Sequence, residues 1–147
     1  MLAHLLELYD RDLTLLAKEV NLYLSDESLW KVIPGTTNSG GNLVLHLCGN
    51  LRHYIGFRLG QVDYRRDRPA EFASHGLSRG DLLTLIDLAR QAVATALSTL
   101  PADRLDELYL EEVLGAPRAV GFFLIHLNGH LRYHTGQVNY HRRSVTA

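Results

Sequence analysis

Cysteine, methionine and tryptophan each occur once in the 147 residues, and neither sign of charge is in excess. A lone Cys48 excludes an intrachain disulfide and any cysteine-rich metal site, which fits a reducing compartment. Fifteen Lys and Arg stand against sixteen Asp and Glu, so no basic field gathers phosphates. Nucleic acid is therefore not an expected partner, despite Arg65, Arg66 and Arg68. No apolar run approaches the ~20 residues that span a bilayer, and the first residues carry no signal-peptide pattern. A cytoplasmic location with no membrane partner is the expectation. With 46% apolar and 21% charged residues the composition is globular, and the length suits one domain over 1–147. What the chain does have is histidine, eight times over.

Four long segments carry helical periodicity. The first runs from about Leu2 to Leu24, with Leu2, Leu5, Leu6, Tyr9, Leu13, Leu16, Val20 and Tyr23 in one stripe. Turn residues from Pro34 to Gly41 interrupt, and a second helix is predicted from near Asn42 to about Gly60. The stretch from Gln61 to Leu77 reads as a long loop. Ser78 with Asp81 resembles a capping box opening a third helix that ends near Leu100, before Pro101. Residues 102–118 fit a short helical turn and then a little extended chain. A fourth helix covers about Ala119 to Arg142. The expected fold is all-α, an antiparallel four-helix bundle, and its long connections suggest crossovers or a functional loop.

An internal echo joins the second and fourth helices. HLCGNLRHYIG from His46 aligns with HLNGHLRYHTG from His126, pairing His46 with His126, Asn50 with His130 and Tyr54 with His134. GQVDYRR and GQVNYHRR then agree loosely. The echo suggests two related helical hairpins about an approximate two-fold axis. Gly49, Gly56, Gly129 and Gly136 weaken a helix relative to Ala, and close helix contact is their expected use.

His126, His130, His134 and Gln137 share one narrow face of the fourth helix. A metal ion satisfies several imidazole lone pairs at once. His126 and His134 lie about 12 Å apart along the axis and cannot serve one ion together. The pair is His126 with His130, or His130 with His134, and the second helix adds His46 or His53. Spacing does not choose between them.

The ending HLRYHTGQ, His130 to Gln137, resembles the HxxHHxGQ-type ending of the bacterial DinB-like (YfiT-like) superfamily of metal-dependent proteins. SGGNLVLHLCGNLRHYIG and DYRRDRPAEF look like one uncharacterised subfamily of it. The resemblance implies a DinB/YfiT-like bundle with His46, His130 and His134 as ligands of a divalent ion (Zn, Ni, Fe or Mn). Tyr133 stands where the superfamily often has a further histidine that is not a ligand. His53 and His126 become neighbours of the ion, and Asn50, Tyr54 and Gln137 further candidates to line the site. The resemblance also implies a small-molecule substrate, a low-molecular-weight thiol handled by an S-transferase, and a homodimer. A metal-dependent hydrolase and a non-catalytic bundle with a structural metal are the rival readings. Remaining expectations are plain: His4, His75 and His141 on the surface, Trp30 and Tyr23 in the core, Cys48 a small buried residue, and Arg65 to Arg68 in a solvated loop.

Overall fold

The structure, a computed structural model, describes residues 1–145. The last two positions of the 1–147 span expected for the domain lie outside the described residues. Helix α1 (Leu2–Asn21) buries Leu5, Tyr9, Leu13, Leu16 and Val20, the stripe read from the sequence. Two acids on the same helix are buried with it, Asp12 and Glu19, seven residues apart. Both point at the C-terminal helix α5 (Val120–Val145). Asp12 accepts from Asn128 at 3.2 Å and Arg132 at 3.3 Å. Glu19 accepts from Asn139 at 2.8 Å and Arg142 at 2.8 Å. Buried carboxylates are tolerated where such partners replace lost water.

Helix α2 (Gly40–Leu51) begins two residues earlier than Asn42, because Ser39 and Asn42 form a reciprocal capping box. Small residues suit this start: a Cβ on Gly40 would lie 2.1 Å from the Tyr23 hydroxyl, and one on Gly41 2.7 Å from the Trp30 ring. The helix continues through a π-helical segment, Arg52–Phe57, and a closing α turn, Arg58–Gly60. Wider π turns are commonly found at functional sites.

The stretch read as a long loop contains a short helix, α3 (Arg68–Ala73), packed on α2. Asp67 caps it by accepting from the Ala70 N–H, and Pro69 sits in its first turn. The Asn42 side chain donates to the carbonyls of Glu71 and Ser74, so the residue that closes the α2 cap also anchors α3. Helix α4 (Arg79–Thr99) starts with the capping box expected at Ser78 and Asp81. After a 3₁₀ turn at Ala102–Asp106, a lone antiparallel bridge between Leu108 and Ala119 closes the base of the last loop.

α1 packs on α4 and α5, and α2 packs on the same two helices. The two helices of each sequence half therefore face one another diagonally, and α1 to α2 is a crossover rather than a side-by-side hairpin. One apolar core draws on all four long helices. The second and fourth helices of the echo, α2 and α5, meet along their histidine-bearing faces.

Candidate metal centre

His130 and His134 stand one turn apart on α5 and turn toward His46 of α2. One ligand atom from each imidazole lies within 4.8 Å of the others. The Nε2 atoms of His46 and His130 are 3.2 Å apart. Two nitrogens at about 2.05 Å from a tetrahedral ion would be about 3.3 Å apart, so this pair fits an ion. The three rings are close to perpendicular, with interplanar angles of 73°, 88° and 84°. No fourth His, Cys, Asp or Glu joins the group among the described residues.

Two of the rings are oriented from behind. His46 Nδ1–H donates to Glu71 Oε1 at 3.1 Å, leaving the Nε2 lone pair for the site. Glu71 is itself gripped by Arg66, whose Nε and Nη2 donate at 2.8 and 2.9 Å. His134 Nδ1–H donates to Gln137 Oε1 at 2.6 Å, which fixes the same tautomer. Such partners set ring orientation and raise ligand basicity in metal sites. The third ring lacks one: His130 Nδ1 is buried without a hydrogen-bond partner.

Electrostatics keep the two α5 rings neutral. Burial pushes the His130 imidazolium down to about 3, with His134, His46, His126 and Arg66 adding to the effect. Burial also lowers His134, against the opposing bond to Gln137. Burial alone would raise Glu71, but hydrogen bonds from Arg66 and His46 outweigh it and hold the carboxylate ionised.

Glu71 and Arg66 are the residues that sequence reasoning missed. Both lie in the segment DYRRDRPAEF, read as solvated because it is charged and aperiodic. The Arg66 side chain is only 9% exposed, a correction to that reading, while Arg65 and Arg68 are exposed. Gly49 makes the arrangement possible. A Cβ there would lie 1.9 Å from Glu71 Oε2.

The other candidates divide. Asn50, Tyr54 and His126 line a cavity beside His46 and His130. His53 does not: it bonds Glu111 Oε1 at 3.0 Å, beside the Arg58–Glu111 ion pair, on the loop that follows α4. His53 is the second residue of the π segment. Gln137 reaches the site through His134.

His141, expected on the surface, is buried and structural. Its Nε2–H donates to the Lys31 carbonyl at 2.7 Å and its Nδ1 accepts from the Tyr23 hydroxyl at 2.7 Å. His4 and His75 are exposed as expected. Cys48 is buried among apolar residues, and burial pushes its thiol up to about 12. Gly56 meets Ala92 at close range, whereas Gly129 and Gly136 face open space, contrary to the helix contact expected of them.

No helix among the described residues is long and apolar enough to cross a membrane. No curated protein matches the sequence. Among solved structures, a DinB-like protein from Bacillus cereus ATCC 10987 matches with a TM-score of 0.75 at 19% identity. The match covers 97% of this chain and 91% of that one, which establishes a shared fold. The family model described as a protein of unknown function, DUF1572, matches residues 7–147. A sequence match over nearly the whole chain leads to one assignment: the chain belongs to the DUF1572 family, and its helical fold is shared with a DinB-like protein.

Proposed function

We propose that the chain is a metal-dependent enzyme acting on a low-molecular-weight thiol, of the S-transferase type, with His46, His130 and His134 holding a divalent ion. One observation carries this reading: two Nε2 atoms 3.2 Å apart, on rings that converge with a third, and with Glu71 and Gln137 behind two of them. Zn, Ni, Fe and Mn all accept imidazole. Such an ion, open on one side, supplies Lewis acidity that holds a thiol as its thiolate at neutral pH.

The protein's own groups do the rest. Glu71 fixes the His46 tautomer, and Arg66 keeps Glu71 charged and still. Asn50, Tyr54 and Phe123 wall the adjoining cavity, where a second substrate would approach the sulfur. The hydrolase reading is weaker because no Asp or Glu lines that cavity to take a proton from water. The structural-metal reading is weaker because the group of three has no fourth protein donor among the described residues.

The partner we propose at the surface is a second copy of the chain. Phe122, Ile125, Tyr133 and Tyr140 form an exposed row on α5, spaced by Gly129 and Gly136. We also place the protein in the cytoplasm, in keeping with its single, buried, free cysteine.

Elemental analysis of protein purified without a histidine tag tests the centre. The wild type should carry one divalent ion per chain and His130→Ala should carry none; full metal content in that variant would remove the centre. Thermal-shift screening of the metal-loaded protein against cellular thiols tests the reaction class, and no stabilisation by any thiol would count against it.

A further inference from the structure

The connector between α4 and α5, residues 107–118, is pinned by its backbone only at the base. There Tyr109 N–H donates to the Arg118 carbonyl and Val120 N–H to the Glu107 carbonyl, each at 2.9 Å. Positions 110–117 make no backbone–backbone hydrogen bond among the described residues. Leu110 is 73% exposed, and the chain reverses at Gly115 with φ +75°. A segment with so few internal bonds sits at the low end of local stability.

Side chains hold what the backbone does not. Glu111 Oε1 accepts from His53 Nε2–H at 3.0 Å and from Arg58 Nε–H. Tyr109 is buried, donates its hydroxyl to the Tyr54 carbonyl at 2.6 Å and packs on Phe123 with ring centroids 4.4 Å apart. His53 and Tyr54 belong to the π segment, and Arg58 follows it directly. The widened turns are thus the surface on which the connector is seated.

Two residues beyond Glu111, Val113 forms part of the wall of a cavity of about 180 Å³ that His46 and His130 also line. Every other wall residue stands on a helical segment or, like Arg66, in a buried ion pair. Val113 stands on neither. Leu114 beside it rests on the edge of the apolar core.

We propose that residues 110–117 form a flap over this cavity, hinged at the Leu108–Ala119 bridge and latched by Glu111 to His53 and Arg58, so that release of Glu111 opens the way to His46 and His130. The inference rests on the reading of these imidazoles as a working site and adds how access to it is regulated. The Arg58 and Glu111 side chains are 35% and 26% exposed, so added salt screens their attraction and loosens the latch.

Limited chymotrypsin digestion of the metal-free full chain reads the latch, because the initial rate follows the fraction of chains open. Arg58→Ala leaves the cleavage sites in the flap untouched. It should speed cleavage within residues 110–117 at least about tenfold, the worth of one charge-assisted hydrogen bond. Glu111→Ala should do the same, and the double variant should add little to either. Diethyl pyrocarbonate with peptide mass spectrometry reads access on the same metal-free protein. His130 should be modified several-fold faster in both variants, and His134, which does not line the cavity, at the wild-type rate. Unchanged cleavage at 110–117 would overturn the latch. Faster cleavage with His130 unchanged, or His130 and His134 accelerated alike, would overturn the gate. Neither measurement needs an ion, so a chain that takes up no divalent metal would strike the function proposed above and leave the flap standing.

Discussion

The carboxylate of Glu71 occupies the space that Gly49 leaves empty, with Oε2 only 1.9 Å from where a Cβ would stand. Glycine inside a helix is normally a weakness, and replacing it with Ala normally gains about 0.5–1 kcal/mol. Here the gain should reverse. Gly49→Ala must push Glu71 off both Arg66 and His46, so the His46 ring loses its orienting partner. We expect a lower melting temperature and a metal affinity weakened roughly 10–100-fold, the usual cost of losing such a partner. Competition against a chelating dye measures the affinity. A stabilised variant with unchanged affinity would show that Glu71 plays no part in holding the site.

Acid should loosen the clamp between α1 and α5. Burial pushes the Glu19 carboxyl upward, but hydrogen bonds from Arg142 and Asn139 outweigh it and the folded state holds it below the usual carboxylate range. A depressed folded value contributes stability above the unfolded value of about 4.3, and loses it as pH falls through the folded value. The melting temperature of the wild type should therefore fall more steeply below about pH 5 than that of Glu19→Gln. The gap between the two should narrow steadily as the pH falls below the usual carboxylate range, and parallel curves there would refute the assignment.

Cys48 should be chemically silent while the fold is intact. With burial pushing its thiol up to about 12, almost no thiolate exists at neutral or mildly alkaline pH. Iodoacetamide at pH 8 should leave the native protein unmodified for hours and label it fully in denaturant. Rapid labelling of the native state, followed by mass spectrometry, would mean that α2 opens readily.

The exposed row on α5 predicts an association that one charge can break. Tyr133 is 66% exposed and central to the row, so Tyr133→Glu should convert a dimer into monomers without lowering the helical circular dichroism signal. Light scattering after size exclusion reads the mass directly. A monomeric wild type at tens of micromolar would remove the proposed partner.

Much of this was legible in the sequence because helical periodicity and spacing are local. The stripe on α1, the cap at Ser78 and the turn between His130 and His134 depend only on residues a few positions apart. The supports of the site were not legible, because they are made across the chain. Glu71 is separated from His46 by 25 positions, and nothing in an aperiodic charged stretch marks which arginine turns inward. His141 shows the same limit from the other side. It continues the polar row of α5, yet crossing the fold to Lys31 and Tyr23 makes it part of the interior. The wide turns at Arg52–Phe57 defeated the expectation for His53, since a strict 3.6-residue repeat cannot be carried through them.

The paired acids on α1 have one last consequence. Asp12 and Glu19 lock α5 lengthwise at two heights, so the helix carrying His130 and His134 cannot slide relative to its neighbours without breaking both. The height of the two α5 imidazoles relative to His46 is thus fixed in part by bonds to α1, a helix that carries none of the three.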